Sequence, residues 1–267
     1  MAVTWIDRMA IDVRGEGDGV VLVHGLGGSM NVWTPLLPAL TRYRSARIEL
    51  PGAARSRRAY ALADSAPQGG RLSVEVLADA VIRVCQGLGL SRAHLVGHSL
   101  GTIVCQHVAV KAPGLVRSLS LFGAMAEPVP AQRENMVQRA AVAREQGMFE
   151  IAEAISEFAL SPSTRAEQPV TVAYVRDSIA SQDAEGFARH CIALAEAQAA
   201  RAELIHCPVL VVNGDEDMVT PLSGARALAG KLAQARVEVL SRCGHWPTLE
   251  RAAECQRFLR DFLDRVR

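Results

Sequence analysis

A chain of 267 residues with a formal charge of +1 and a pI near 7.7 carries no electrostatic footprint for nucleic acid or an anionic membrane surface. Its 49% hydrophobic content is enough to bury a core without disulfide or metal staples, and its length suits one α/β domain with an insertion. The six cysteines (Cys85, Cys105, Cys191, Cys207, Cys243 and Cys255) form no CxxC pair and no zinc-like spacing with histidine, and several stand in apolar runs where a reduced thiol serves as a small core residue. The opening stretch carries Asp7, Arg8 and Asp12 in place of the apolar run of a signal peptide. With no run of membrane-spanning length, a reduced cytoplasmic setting is expected, with no membrane partner.

In chain order, Val20–His24 (VVLVH) reads as a buried strand ended by the turn Gly25-Leu26-Gly27-Gly28, and Arg47–Leu50 as a second strand ended by Pro51-Gly52. The stretch Arg57–Arg71, rich in Ala, Gly, Pro and Ser, reads as a mobile loop. Leu72–Gly87 has helical periodicity, Ala93–Gly97 is a third strand, Leu100–Ala112 a helix stopped at Pro113-Gly114, and Leu119–Phe122 a fourth strand. From about Glu127 to His206 no strand is expected. Helices dominate there, over Gln132–Gln146, Phe149–Ala159, Val170–Ile179 and Gly186–Ala199. Alternation resumes with strand Val209–Asn213, helix Ser223–Leu232, strand Arg236–Leu240 and helix Ala252–Val266. This order predicts a mostly parallel sheet flanked by helices. The expected division is residues 1–126 and 207–267 as the sheet core and 127–206 as an inserted helical cap.

The chemistry centres on Gly97-His98-Ser99-Leu100-Gly101. It leaves a strand and opens a helix, the context in which a tight turn lifts a serine Oγ above the strand ends and aims a helix N-terminus at the reacting carbonyl. The turn leaves no room for side chains at 97 and 101, and both are glycine. The pentapeptide itself is common, and a plain helix N-cap is the alternative reading of Ser99. A serine hydroxyl needs an adjacent base. Of the seven histidines, His94 and His107 lie within a strand and a helix, His98 is too constrained to face its neighbour's Oγ, His190 and His206 belong to the helical insertion, and His24 ends a strand in a structural role. His245 lies in Cys243-Gly244-His245-Trp246-Pro247 beyond the last strand, where sites in parallel sheets assemble. The base needs a carboxylate to orient it, and the loop Gly214–Pro221 offers Asp215, Glu216 and Asp217. Two backbone N–H groups for an oxyanion hole are expected from Leu100 and from the loop after the first long strand, at Leu26. Trp33, Met125, Val219 and Trp246 neighbour these motifs and are candidates for the pocket lining, with ordinary core packing as the alternative for each. No metal cluster and no phosphate loop is present, since His24–Gly28 lacks the G-x-G-x-x-G spacing, so no cofactor is expected.

Taken together, HGLGGS (24–29), GHSLG (97–101), GDEDMVTP (214–221) and GHWPTLE (244–250) resemble four signatures of the α/β-hydrolase superfamily in their usual order. The resemblance implies the α/β-hydrolase fold, a triad of Ser99, His245 and Asp217, with Asp217 chosen over its neighbours as the acid three residues after the glycine of its motif. It also implies that Glu250 anchors the final helix. The front end GLGGSMNVWTPLLPAL and the stretches around Gly147–Ala152 and Asp183–Ala188 are similar to 3-oxoadipate enol-lactonases and related esterases. Those enzymes carry a D-x-R-G-H-G-x-S loop. Here Glu49–Ser56 puts Pro51 at the arginine and Ala53-Ala54 at the His-Gly pair, which points away from a dicarboxylate-like substrate and toward a less polar ester or lactone. Hydrolysis of a small-molecule ester or lactone is therefore the expectation. Carbon–carbon bond hydrolysis of a β-diketone or dienoate, and a ligand-binding receptor that keeps the fold without turnover, are the competing readings.

Overall fold

The computed structural model describes residues 3–59 and 71–266; most of the stretch read as a loop after Arg57, residues 60–70, lies outside them. Eight strands form one sheet: β1 (Thr4–Ile6), β2 (Met9–Arg14), β3 (Gly19–Val23), β4 (Arg44–Ile48), β5 (Ala93–His98), β6 (Val116–Phe122), β7 (Val209–Gly214) and β8 (Ala235–Leu240), in the order β1-β2-β4-β3-β5-β6-β7-β8. The pairs β1–β2 and β2–β4 are antiparallel and the rest are parallel. The central strands are buried on both faces, which is why their sequences are nearly continuous apolar runs. Alternation still sorts their side chains. Val21 and Val23 of β3 and Val209 and Val211 of β7 join one core, while Val20, Leu22, Leu210 and Val212 join the other.

The first core is roofed by α1 (Val74–Gly87) and α2 (Leu100–Lys111). Helix α1 is amphipathic and capped by Ser73, and α2 is buried nearly all round because it lies against the centre of the sheet. The second core packs under the 3₁₀ segment Met30–Leu40, where Pro35 and Pro38 remove the amides a regular α-helix would need. Between β6 and β7 the described residues hold five α-helices: α3 (Pro130–Gln146), α4 (Phe149–Phe158), α5 (Pro162–Glu167), α6 (Pro169–Ala180) and α7 (Ala184–Glu196). Helix α3 packs on α7, and α4 on α6. The chain returns through β7, α8 (Leu222–Ala229), β8, the short α9 (Pro247–Glu250) and the strongly amphipathic α10 (Ala252–Arg265), whose Leu259, Phe262 and Leu263 close the second core.

The N-terminal hairpin of β1 and β2 was not expected from the sequence. Its turn residues Asp7 and Arg8 both have positive φ (48° and 61°), the conformation of a type I′ turn, but without the Asn-Gly or Asp-Gly pair that announces one. Helices α5 and α9 also went unread, each being too short for periodicity to show. All six cysteines are free thiols, and among the described residues no helix is long and apolar enough to cross a membrane.

Candidate active site

Three loops leave the carboxyl ends of β5, β7 and β8 and meet. Ser99 follows β5 with φ 51° and ψ −119°, a strained left-handed conformation for a residue with a side chain. The strain persists because the surroundings permit no other path. A Cβ on Gly101 would lie 2.1 Å from the Val23 carbonyl oxygen, and one on Gly97 would lie 2.5 Å from that of Gly101. The turn is tied down from within: Ser99 N–H donates to the Phe122 carbonyl (3.0 Å), and the Ser99 carbonyl accepts from both the N–H (2.7 Å) and the hydroxyl (2.6 Å) of Thr102.

His245 Nε2 lies 2.8 Å from Ser99 Oγ, and His245 Nδ1 lies 2.9 Å from Asp217 Oδ2. All three residues are buried. With the carboxylate as acceptor, the Nδ1 proton points at Asp217 and leaves the Nε2 lone pair for the serine hydroxyl. Asp217 accepts further from the N–H of Val219 (2.9 Å) and Thr220 (2.8 Å) at Oδ1, and from the Thr220 hydroxyl (2.6 Å) at Oδ2. Burial works against charge on Asp217, but the adjacent His245 and the donors from His245 and Thr220 outweigh it and hold the carboxyl below its usual range. The two rival acids point elsewhere. Asp215 accepts from Ser241 Oγ (3.2 Å) and from the Cys243 N–H (3.3 Å), and both Asp215 and Glu216 are exposed.

Three other histidines, His24, His98 and His190, are spent on structure. His24 is fully buried; its Nε2 accepts the Leu50 N–H (3.0 Å), which puts its proton on Nδ1, and that donates to the Gly25 carbonyl (2.8 Å). The same carbonyl accepts the Gly28 N–H (3.1 Å). Because the peptide is planar and trans, holding the Gly25 oxygen fixes the direction of the Leu26 N–H on the opposite edge. Burial lowers His24 to about 4, so it stays neutral. His98 does not face Ser99 Oγ. Its Nε2–H donates to the His245 carbonyl (2.7 Å), its ring lies 5.0 Å from that of His245 and 5.1 Å from that of Trp246, and burial and then the neighbouring His245 push it to about 3. His190 donates from Nε2 to the Pro51 carbonyl (2.7 Å), and burial lowers it to about 4.

Leu100 begins α2, so no helical carbonyl can reach its N–H. Gly25 lies against the serine, since a Cβ there would be 2.8 Å from Ser99 Cβ. Of the four expected lining residues, Trp33 is 0% and Trp246 2% exposed; Trp33 packs edge-on to Phe122 (6.3 Å between centroids) and Trp246 against His98, so neither indole presents a face to open space. Met125 is 8% exposed with its carbonyl bonded to Gln106 (2.9 Å), and Val219 is half-buried with its carbonyl bonded to Gln132 of α3 (2.8 Å). Sequence reasoning passed over Thr220, Thr102 and Asn213. Asn213 bridges the acid loop to the end of β6 through the Thr220 carbonyl (2.8 Å) and the Ala124 N–H (2.9 Å). Of these, only Thr220 had a local signal, as a hydroxyl three residues past an aspartate. Among the described residues, no group of three or more His, Cys, Asp or Glu side chains is arranged to hold a metal ion.

The fold and this junction of loops define a class. The chain belongs to the α/β-hydrolase fold family, whose family model matches residues 19–252. It is 28% identical to a 2-hydroxymuconate semialdehyde hydrolase from Pseudomonas sp. (strain CF600), an alignment covering 96% of this chain and 90% of that protein. Among solved structures it is similar to a thermophilic esterase from Thermogutta terrifontis (27% identity, TM-score 0.88, 97% of this chain and 93% of that one) and to the enol-lactonase from Burkholderia xenovorans LB400 (27% identity, TM-score 0.86, 96% of each).

Proposed function

We propose that the chain is a serine hydrolase that cleaves a small carboxylic ester or lactone through an acyl-enzyme on Ser99. The observation that carries this reading is the unbroken chain of contacts from Ser99 Oγ to His245 Nε2 (2.8 Å) and from His245 Nδ1 to Asp217 Oδ2 (2.9 Å). In this mechanism His245 takes the hydroxyl proton as Oγ attacks the carbonyl carbon. The resulting oxyanion sits between the N–H groups of Leu26 and Leu100, a type of stabilisation worth about 3–4 kcal/mol per donor in comparable sites. His245 then returns the proton to the leaving oxygen, and a water activated by the same imidazole releases the acid and regenerates Ser99. Asp217 stays ionised throughout, stabilising the imidazolium and holding its tautomer.

Residues 127–206 serve as a cap over this centre, with 1–126 and 207–267 as the catalytic core. In support, helix α6 and the turn after it reach the loop of Leu26 through Ser178 Oγ on the Gly27 carbonyl (3.2 Å) and the Gln182 amide on the Gly28 carbonyl (3.3 Å). Met125 and Val219 border the substrate, which favours an apolar acyl group, and the activity is placed in the cytoplasm. Carbon–carbon hydrolysis is the second reading, favoured by the likeness to the semialdehyde hydrolase. A panel of p-nitrophenyl esters, unsubstituted lactones and vinylogous β-diketones separates the two. Turnover of the first two groups with the diketones inert is expected. Diketone cleavage with esters and lactones inert replaces the proposal by its alternative.

A further inference from the structure

The loop that carries His245 is held by more than its own strand. The His245 N–H donates to the Ala159 carbonyl just past the end of α4 (2.7 Å), and the amides on either side, Gly244 and Trp246, donate to the two oxygens of Glu250 (3.0 Å each). The Glu250 oxygen that takes Gly244 also takes the N–H of Ser161, in the link between α4 and α5 (2.9 Å). Link and loop are in backbone contact: a Cβ on Gly244 would stand 2.6 Å from both the Ala159 oxygen and the Ser161 nitrogen. His98 closes the opposite side through the His245 carbonyl. Glu250 is 4% exposed and, among the described residues, no cation pairs with its carboxylate. The family resemblance implied that Glu250 anchors the final helix; its carboxylate oxygens take three amides from two separate parts of the chain, none of them in α10. A buried carboxylate used in this way gives strong, directional bonds, and here they bracket the one imidazole on which proton transfer depends.

Resting on the reading of Ser99, His245 and Asp217 given above, we propose that Glu250 is a positioning residue for the general base, clamping the base loop to the α4–α5 link. That link, Ala159–Ser161, is then a fixed part of the catalytic machinery, and any opening of the helical insertion takes place elsewhere in it. Misplacing a base by about 1 Å costs roughly 100-fold in rate without changing how substrate is held.

Glu250→Gln keeps the size of the side chain but removes the charge and sets an NH₂ group among three N–H donors. At a temperature where circular dichroism shows the variant folded, kcat for a p-nitrophenyl ester is expected to fall roughly 30- to 100-fold with KM changed less than about threefold, and fluorophosphonate labelling of Ser99 to slow in parallel. A merely structural role lowers the melting temperature and leaves kcat of the folded protein untouched, so kcat within about threefold of wild type overturns the proposal. Should Glu250→Gln fail to fold, Glu250→Asp takes its place. It keeps the charge but draws the carboxylate back by one methylene, out of reach of all three amides at once, and the same fall in kcat at constant KM is expected, an unchanged kcat being the contrary result. Wild-type protein that takes up no fluorophosphonate undoes the hydrolase reading itself. Wild-type protein that is labelled, with Glu250→Gln labelled equally fast, undoes only the role of Glu250.

Discussion

Ser99→Ala is expected to remove ester turnover, a loss on the order of a millionfold in kcat if this site behaves as other serine triads do, while the protein remains folded. The loss is large because, among the described residues, no second nucleophile is within reach of His245 Nε2, whose bond to Ser99 Oγ is its only contact with a hydroxyl there on that side of the ring. The fold survives because, among the described residues, Oγ is bonded to the imidazole alone, whereas the ties that hold the turn run through the backbone of residue 99 to Phe122 and Thr102. Alanine keeps a Cβ at φ 51°, so the strain of the turn neither grows nor vanishes. Steady-state kinetics and thermal melting of the purified variant check both halves. Full activity in Ser99→Ala ends the assignment of the nucleophile.

Asp217→Asn is expected to lower kcat by roughly four orders of magnitude, because an amide beside Nδ1 can present its NH₂ and hold the imidazole in the wrong tautomer. Asp215→Asn is expected to change kcat by no more than about threefold, its carboxylate being engaged with Ser241 and Cys243. The electrostatics give the pH sense. The Asp217 carboxyl is held below its usual range in the fold, so its contribution to stability is complete above the ordinary carboxylate pKa of about 3.9 and is lost as pH falls through the lower, folded value. The stabilities of wild type and Asp217→Asn should therefore differ above about pH 4 and converge below it, as the wild type loses its advantage there. Equal and mild kinetic losses in the two variants contradict the assignment of the acid.

Much of this site could be read from the chain because its parts are local. A glycine on each side of Ser99 is a steric demand of the turn itself, visible two residues away; the loop of Asp217 follows an apolar run that could only be a buried strand, and the loop of His245 follows a half-buried strand in which Val237 and Val239 alternate with charged residues. Strands β3 and β5 to β7 were legible for the same reason. The hairpin of β1 and β2 was not, because its turn has an arginine where glycine is the usual signal, and strand Arg44–Ile48 began earlier than expected because Arg47 is a buried charge. That arginine is paired with Asp12 of β2 (2.7 Å), a partner that periodicity cannot reveal. His98 and Glu250 show the same limit in the site. What each does depends on a neighbour that only the tertiary fold supplies: a carbonyl 147 positions away, an amide 89 positions away. Trp33 and Trp246 show the converse: each stands beside a motif in sequence, yet its burial in the second core is a matter of tertiary packing.

The central claim is that His245 activates Ser99. Its most direct test is the rate at which a fluorophosphonate modifies the protein, with the adduct mapped by mass spectrometry of the tryptic peptide Ala93–Lys111. Wild-type protein should carry a single adduct on Ser99, and His245→Ala should form it at least about a thousandfold more slowly. Labelling at another residue, or an equal rate in the two proteins, would contradict the account.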